Sequence, residues 1–219
     1  MSTGAIFGAL LVGLIVWIFV ARQLTAKSWD SRADAGDVGA IDIAPAKLGL
    51  WMFLAVVGSL FTLFMVAFSM RQHHGDDWTR IAVPPVLWVN TVLLIFGSIA
   101  LQSARGAVKK AQLRALKFRL VVAGLFTFAF LAGQLMAWQQ LRASGQFISS
   151  GPAIAFFYLL TAVHGLHLLG GLWVWGRTLG RLAGGAEVID VRLSVELCAV
   201  YWHFLLLVWL VLFALLSSS

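Results

Sequence analysis

The stretch "LTAVHGLHLLGGLWVW" (Leu160 to Trp175) decides how the chain is read, because two histidines stand in an otherwise apolar run. A third histidine follows in "VYWHFLLLVW" (Val200 to Trp209). Such runs are either the core of a soluble protein or the lipid-spanning part of a membrane protein, and composition separates the two. The chain has 219 residues, 61% of them hydrophobic and only 11% charged, whereas a soluble domain carries about 25% charged residues. Lipid is therefore the main solvent.

Apolar runs long enough to cross ~30 Å of hydrocarbon occur at 4–21, 48–70, 83–103, 119–138, 152–176 and 197–216. They predict an all-α membrane protein, a polytopic bundle of six transmembrane helices. Nearly all of the chain is spent on these spans, which leaves no room for a separate soluble catalytic domain. The segment Gln23 to Lys47 differs: it holds four aspartates and two glycines and reaches Pro45 near its end. It reads as a flexible linker. The expected organisation is an N-terminal helix (1–22), a cytoplasmic linker (23–46) and a five-helix core (47–219). The first span lacks a basic leading region and a small-residue cleavage site, so a retained anchor is expected rather than a secretory signal.

A net charge of +7 could suggest nucleic acid, but the charges are placed for topology. Of the Lys and Arg residues, 13 fall in the connections 22–47, 104–119 and 177–195 and 3 in the opposite loops. This is a strong positive-inside signal. It places three basic loops in the cytoplasm and both termini outside, and it makes the basic residues possible contacts for anionic lipid. The single cysteine, Cys198, excludes an intramolecular disulfide and a cysteine-only metal site. Trp51, Trp78, Trp138 and Trp175 fall near span ends, as interfacial anchors do. Trp88, Trp202 and Trp209 fall inside spans and are expected between helices.

Polar groups at membrane depth are costly. Here they are Asn90, Thr91, Gln102, Gln134, His164, His167, His203 and, at a span boundary, Glu196. No Asp, Glu, Lys or Arg lies well inside a span, which disfavours a proton pump, a cation-coupled transporter or an intramembrane protease. At 1.5 Å per residue, His167 lies ~13 Å from the inner end of its span and His203 ~10 Å from the same side. These depths predict a polar cluster of His164, His167, Glu196, Trp202 and His203 bridging the last two helices. Three uses of it compete. One is a bis-histidine heme held by His167 and His203, as in a small cytochrome b-type anchor. Another is a metal site of three histidines and a carboxylate. The third, which is preferred, is structural: each imidazole donates to a neighbouring helix or to Glu196, because an unpaired polar group in hydrocarbon costs several kcal/mol.

At these residues the sequence resembles subunit III of the heme-copper terminal oxidases, in a short bacterial form. "TAVHGLHL" (Thr161 to Leu168) is similar to that family's "TGFHGLHV", and Glu196 with "YWHFLLLVW" to its "E…YWHFVDVVW". "KLGLWMFLA" (Lys47 to Ala55), "LWVNTVLL" (Leu87 to Leu94) and "FLAGQLMAW" (Phe130 to Trp138) resemble "KxGMWLFLA", "LPLLNTxIL" and "FLxxQxxEY" in the same order. Acidic residues of the family fall here on Val57, Ala137 and Leu206. The resemblance implies a subunit with no redox centre of its own and no catalytic residues. It would pack against subunits I and II, whose hemes and copper do the chemistry, and it would hold phospholipid and sustain turnover in a bacterial inner membrane. Arg181, or its neighbour Arg177, matches a headgroup-binding arginine of the family.

Overall fold

The computed structural model describes residues 45–74, 78 and 83–218. The expected N-terminal helix and most of the linker lie outside the described residues. Among those described, five helices are long and apolar enough to cross a membrane, and no strand is present. They are α1 (Pro45–His74), α2 (Val86–Lys109), α3 (Leu113–Ala143), α4 (Pro152–Ala183) and α5 (Val188–Ser217).

Each helix outruns its apolar stretch. α5 is 30 residues long, or ~45 Å, against a hydrocarbon core of ~30 Å. The chain has no reason to unwind at the headgroups, because a helix already satisfies its backbone there. It continues until a cap or a turn stops it. α5 starts nine residues before its apolar run, where the Asp190 carboxylate accepts the Glu187 backbone N–H at 3.1 Å, half of a capping box. α4 opens on Pro152 at its first turn, where the missing N–H is harmless.

Three helices end in the same way. After α3, Gly145 N bonds Arg142 O and Gln146 N bonds Leu141 O. After α4, Gly185 N bonds Leu182 O and Ala186 N bonds Arg181 O. Both turns place a glycine at positive φ, +79° and +92°, the Schellman closure. The α2 end has the same pair of bonds, Ala111 N to Val108 O and Gln112 N to Ala107 O. There an alanine takes φ 51°, a backbone region that costs a Cβ-bearing residue about 1–2 kcal/mol.

Two compact units divide the chain, residues 1–59 and 60–219. The described part of the first is the N-terminal half of α1. Within the second, α2, α3, α4 and α5 form a ring of neighbours. Each touches the next, and α5 closes back on α2. Short connections force this order, since consecutive helices must run antiparallel side by side. The later half of α1 adds Phe61, whose ring lies 5.3 Å from that of His167, and Phe68, 5.7 Å from Phe156. Both phenylalanines are buried.

Candidate functional site

With no hydrophobic drive between helices in lipid, close packing and interhelical hydrogen bonds must hold the ring together. Its interior shows one device used three times. Thr91, Thr127 and Thr161 each donate their hydroxyl to the carbonyl four residues back, of Leu87, Ala123 and Phe157, at 2.7–2.9 Å. Each hydroxyl oxygen then accepts an indole N–H from another helix at 3.0 Å: Trp209, Trp202 and Trp138 respectively. An indole nitrogen only donates, and a threonine whose own proton is spent only accepts, so the match is complete. The three pairs join α5 to α2, α5 to α3 across the ring, and α3 to α4.

Other couplings close the circuit. Trp175 Nε1 of α4 donates to Leu120 O of α3 at 2.9 Å. The Tyr201 hydroxyl of α5 donates to His167 O of α4 at 2.8 Å. Asn90 Nδ2 of α2 donates to Gln134 Oε1 of α3 at 3.3 Å. Glycines make room for these groups. A Cβ on Gly124 would collide with the Trp175 ring, one on Gly133 with the Asn90 carboxamide, and one on Gly171 with the Tyr201 and Trp202 rings.

The structure distributes the five residues expected as one cluster over separate contacts. His203 Nδ1 and the Ser98 hydroxyl of α2 are 2.7 Å apart. His167 Nδ1 donates to Val163 O of its own helix at 2.7 Å. Trp202 is committed to Thr127, and Glu196 accepts from Arg192 one turn away at 3.3 Å. His164 is fully buried, with neither ring nitrogen hydrogen-bonded. It lies in an aromatic box, its ring centre 5.3 Å from Trp209, 5.8 Å from Phe130 and 6.3 Å from Phe61. Only weak contacts of an imidazole edge with ring faces are open to it there.

This placement disposes of the paired-ligand reading. Residues 201 and 203 sit about 200° apart around an α-helix, at 3.6 residues per turn. Tyr201 faces α4, where it meets His167, and His203 faces α2, where it meets Ser98. His167 and His203 therefore lie on opposite sides of α5 and share no heme-sized space. Among the described residues, no three His, Cys, Asp or Glu side chains stand together as a metal site.

Hydropathy reasoning missed Thr127 and Thr161 because a lone threonine in an apolar run looks inert; a tryptophan on a facing helix is what gives it meaning. Trp138 and Trp175, expected as interfacial anchors, spend their N–H groups on other helices. Trp88, expected between helices, is 64% exposed and meets Phe213 edge-on at 4.7 Å. Arg177 and Arg181 are exposed in the last turns of α4. Ala137 is fully buried, and Leu206 is half-buried.

The helix order and the aromatic couplings lie within a sequence profile described as Cytochrome c oxidase subunit III, which matches residues 34–217. The chain belongs to this family. It is 30% identical over 162 residues to the probable cytochrome c oxidase subunit 3 of Mycobacterium tuberculosis, covering 70% of this chain and 77% of that protein. Cytochrome c oxidase subunit 3 of Thermostichus vulcanus is 27% identical over 174 residues, 77% of this chain and 85% of the relative. The probable quinol oxidase subunit 3 of Staphylococcus aureus is 24% identical over 191 residues, 84% and 90%. As a member of the subunit III family, the chain is part of a respiratory terminal oxidase, a multi-subunit membrane complex. The threonine–indole pairs are thus the internal framework of an oxidase subunit III.

Proposed function

We propose that this chain is the non-redox structural subunit of a bacterial heme-copper oxidase. It packs against subunits I and II, holds phospholipid at its basic rim and supports sustained turnover of the oxygen-reducing, proton-pumping subunit I. The observation that carries this reading is the use made of the buried polar groups. Across the part of the chain that the family profile covers, the interhelical hydrogen bonds couple one helix to another. A group already spent on a neighbouring helix is not free to ligate or to carry protons. The positive-inside distribution supports termini on the outer face, with the α2–α3 and α4–α5 connections in the cytoplasm. Arg177 and Arg181 then stand where an anionic headgroup would meet the end of α4. The N-terminal apolar run 4–21 supplies a sixth span on this reading. Cytochrome c and quinol both remain candidate electron donors, since the relatives include oxidases named for each.

Affinity purification through a tag on this chain, from its native membrane, tests the proposal. The expected result is co-purification of two further oxidase subunits with heme and copper absorption, while the chain expressed alone shows no heme bands. A bis-histidine heme spectrum from the isolated chain would overturn it, as would recovery of the chain from native membranes without any heme protein.

A further inference from the structure

The outward faces of α2, α3, α4 and α5 are apolar across the hydrocarbon, as lipid requires. Within the runs 83–103, 119–138, 152–176 and 197–216, the exposed residues are aliphatic, methionine, aromatic, proline or glycine with two exceptions, Gln102 and His203. The exceptions are neighbours. Ser98, bonded to His203, lies one turn from Gln102 on the same face of α2. Both therefore mark the seam between α2 and α5, and His203 stands ~9 Å inside its apolar run.

The chemistry of that seam is directional. Ser98 makes no hydrogen bond to its own helix, unlike Thr91, Thr127 and Thr161, so the tautomer that satisfies its hydroxyl proton is the one in which His203 Nδ1 accepts it. The neutral ring then carries its hydrogen on Nε2, and this N–H faces outward at a depth where hydrocarbon offers no acceptor. Gln102 adds a carboxamide one turn closer to the cytoplasm, where its Oε1 accepts from Arg105 at 3.4 Å. Around them the seam is apolar, with Leu207 60% and Ile99 56% exposed. The outer faces of α3 and α4, carried by Leu125, Phe128, Leu166 and Trp173, have no such polar mark.

We infer that the α2–α5 seam is the face on which this chain docks a transmembrane helix of a partner subunit, and that the partner brings a hydrogen-bond acceptor to His203 Nε2–H. The inference rests on the chain's membership of an oxidase complex and deepens it by choosing one face. An aliphatic partner surface would cover Leu207 and Ile99, and one oxygen acceptor about two turns inside the cytoplasmic boundary would satisfy the imidazole. A lipid tail can do only the first.

The test is photocrosslinking in the assembled oxidase, with a diazirine-bearing residue placed singly at Gln102, Leu207, Leu125 or Leu166. Protein adducts are expected from positions 102 and 207 and lipid adducts alone from 125 and 166. Protein adducts from 125 or 166 with only lipid at 102 and 207 would overturn the choice of face, and so would lipid adducts at all four positions in a complex that still co-purifies. Loss of co-purification of the unmodified chain would instead refute membership of the complex. A second arm compares His203→Phe with Ser98→Ala, because the latter breaks the internal bond and keeps the outward imidazole. His203→Phe is expected to lower retention of the partner subunit roughly three- to tenfold in detergent, the range of one interhelical hydrogen bond, while Ser98→Ala leaves it near the parent value. Equal loss in both variants would show that His203 acts within the bundle alone.

Discussion

Replacing Thr127 by valine keeps the side-chain shape and removes the one acceptor available to the Trp202 indole, 3.0 Å away. Trp202 is only 1% exposed, so no water or lipid carbonyl can replace the hydroxyl. In a soluble protein an orphaned buried donor costs about 1–3 kcal/mol. In membrane helices measured couplings are smaller, averaging about 0.6 with a maximum near 1.7 kcal/mol, because separated helices find other partners. The central position of this pair, spanning the ring from α3 to α5, argues for the upper part of that range, about 1–1.5 kcal/mol. Trp202→Phe alone costs more, through lost ring contacts, but that packing loss is common to both halves of a double-mutant cycle and cancels. The cycle of parent, Thr127→Val, Trp202→Phe and the double variant is to be measured by unfolding in mixed micelles, with helicity followed by circular dichroism. The double variant should be more stable than the sum of the singles predicts, by the coupling energy. Additivity within about 0.3 kcal/mol would refute the claim that the threonine–indole pairs hold the bundle.

Gly133→Ala should drive the Asn90 carboxamide out of its socket and cost about 1–3 kcal/mol in the same unfolding assay, as overpacking does; a neutral result would mean that Asn90 has another place to go. Ala111→Gly should stabilise the chain by up to about 1 kcal/mol by relieving a positive φ, and a lower unfolding midpoint would contradict the turn geometry. His164→Leu removes a buried imidazole that has no hydrogen-bond partner, so the isolated chain should be unchanged or more stable by about 1 kcal/mol. A loss of several kcal/mol would mean that His164 has a polar partner inside the bundle.

The five helices and their order are legible from hydropathy because hydrocarbon thickness imposes a length that few soluble segments share. Helix ends are not, since the continuation into charged residues such as Lys109, Arg181 and Arg192 is governed by caps and turns. Site residues divide along the same line. Depth along the axis can be counted from the sequence, and it placed His167 and His203 at similar levels. Azimuth cannot be assigned until each helix's neighbours are known, and there the two histidines part to opposite sides of α5. The same ignorance of azimuth made Trp88 look internal and hid the interhelical partners of Trp138 and Trp175. Thr127 and Thr161 could have been found by one rule: a threonine or serine in an apolar run deserves pairing with every tryptophan at comparable depth on other spans.

The positions where the resemblance expects an acid supply a stricter trial of this picture. The position that matches the family's "QxxEY" glutamate is Ala137, fully buried in α3. A carboxyl side chain there would add three heavy-atom bonds' length to a site with no free surface, and overpacking alone costs about 1–3 kcal/mol. The acid would also have to stay protonated or find a partner, since an unpaired charge in a dry interior costs far more than the packing. Ala137→Glu should therefore lower the unfolding free energy by at least about 2 kcal/mol and weaken recovery of the assembled oxidase in proportion. If the variant assembles normally, α3 keeps a polar niche that the alanine leaves unfilled. The buried polar framework would then be incomplete as described, and a carboxyl group would belong beside the indole, threonine and carboxamide groups that couple α3 to its neighbours.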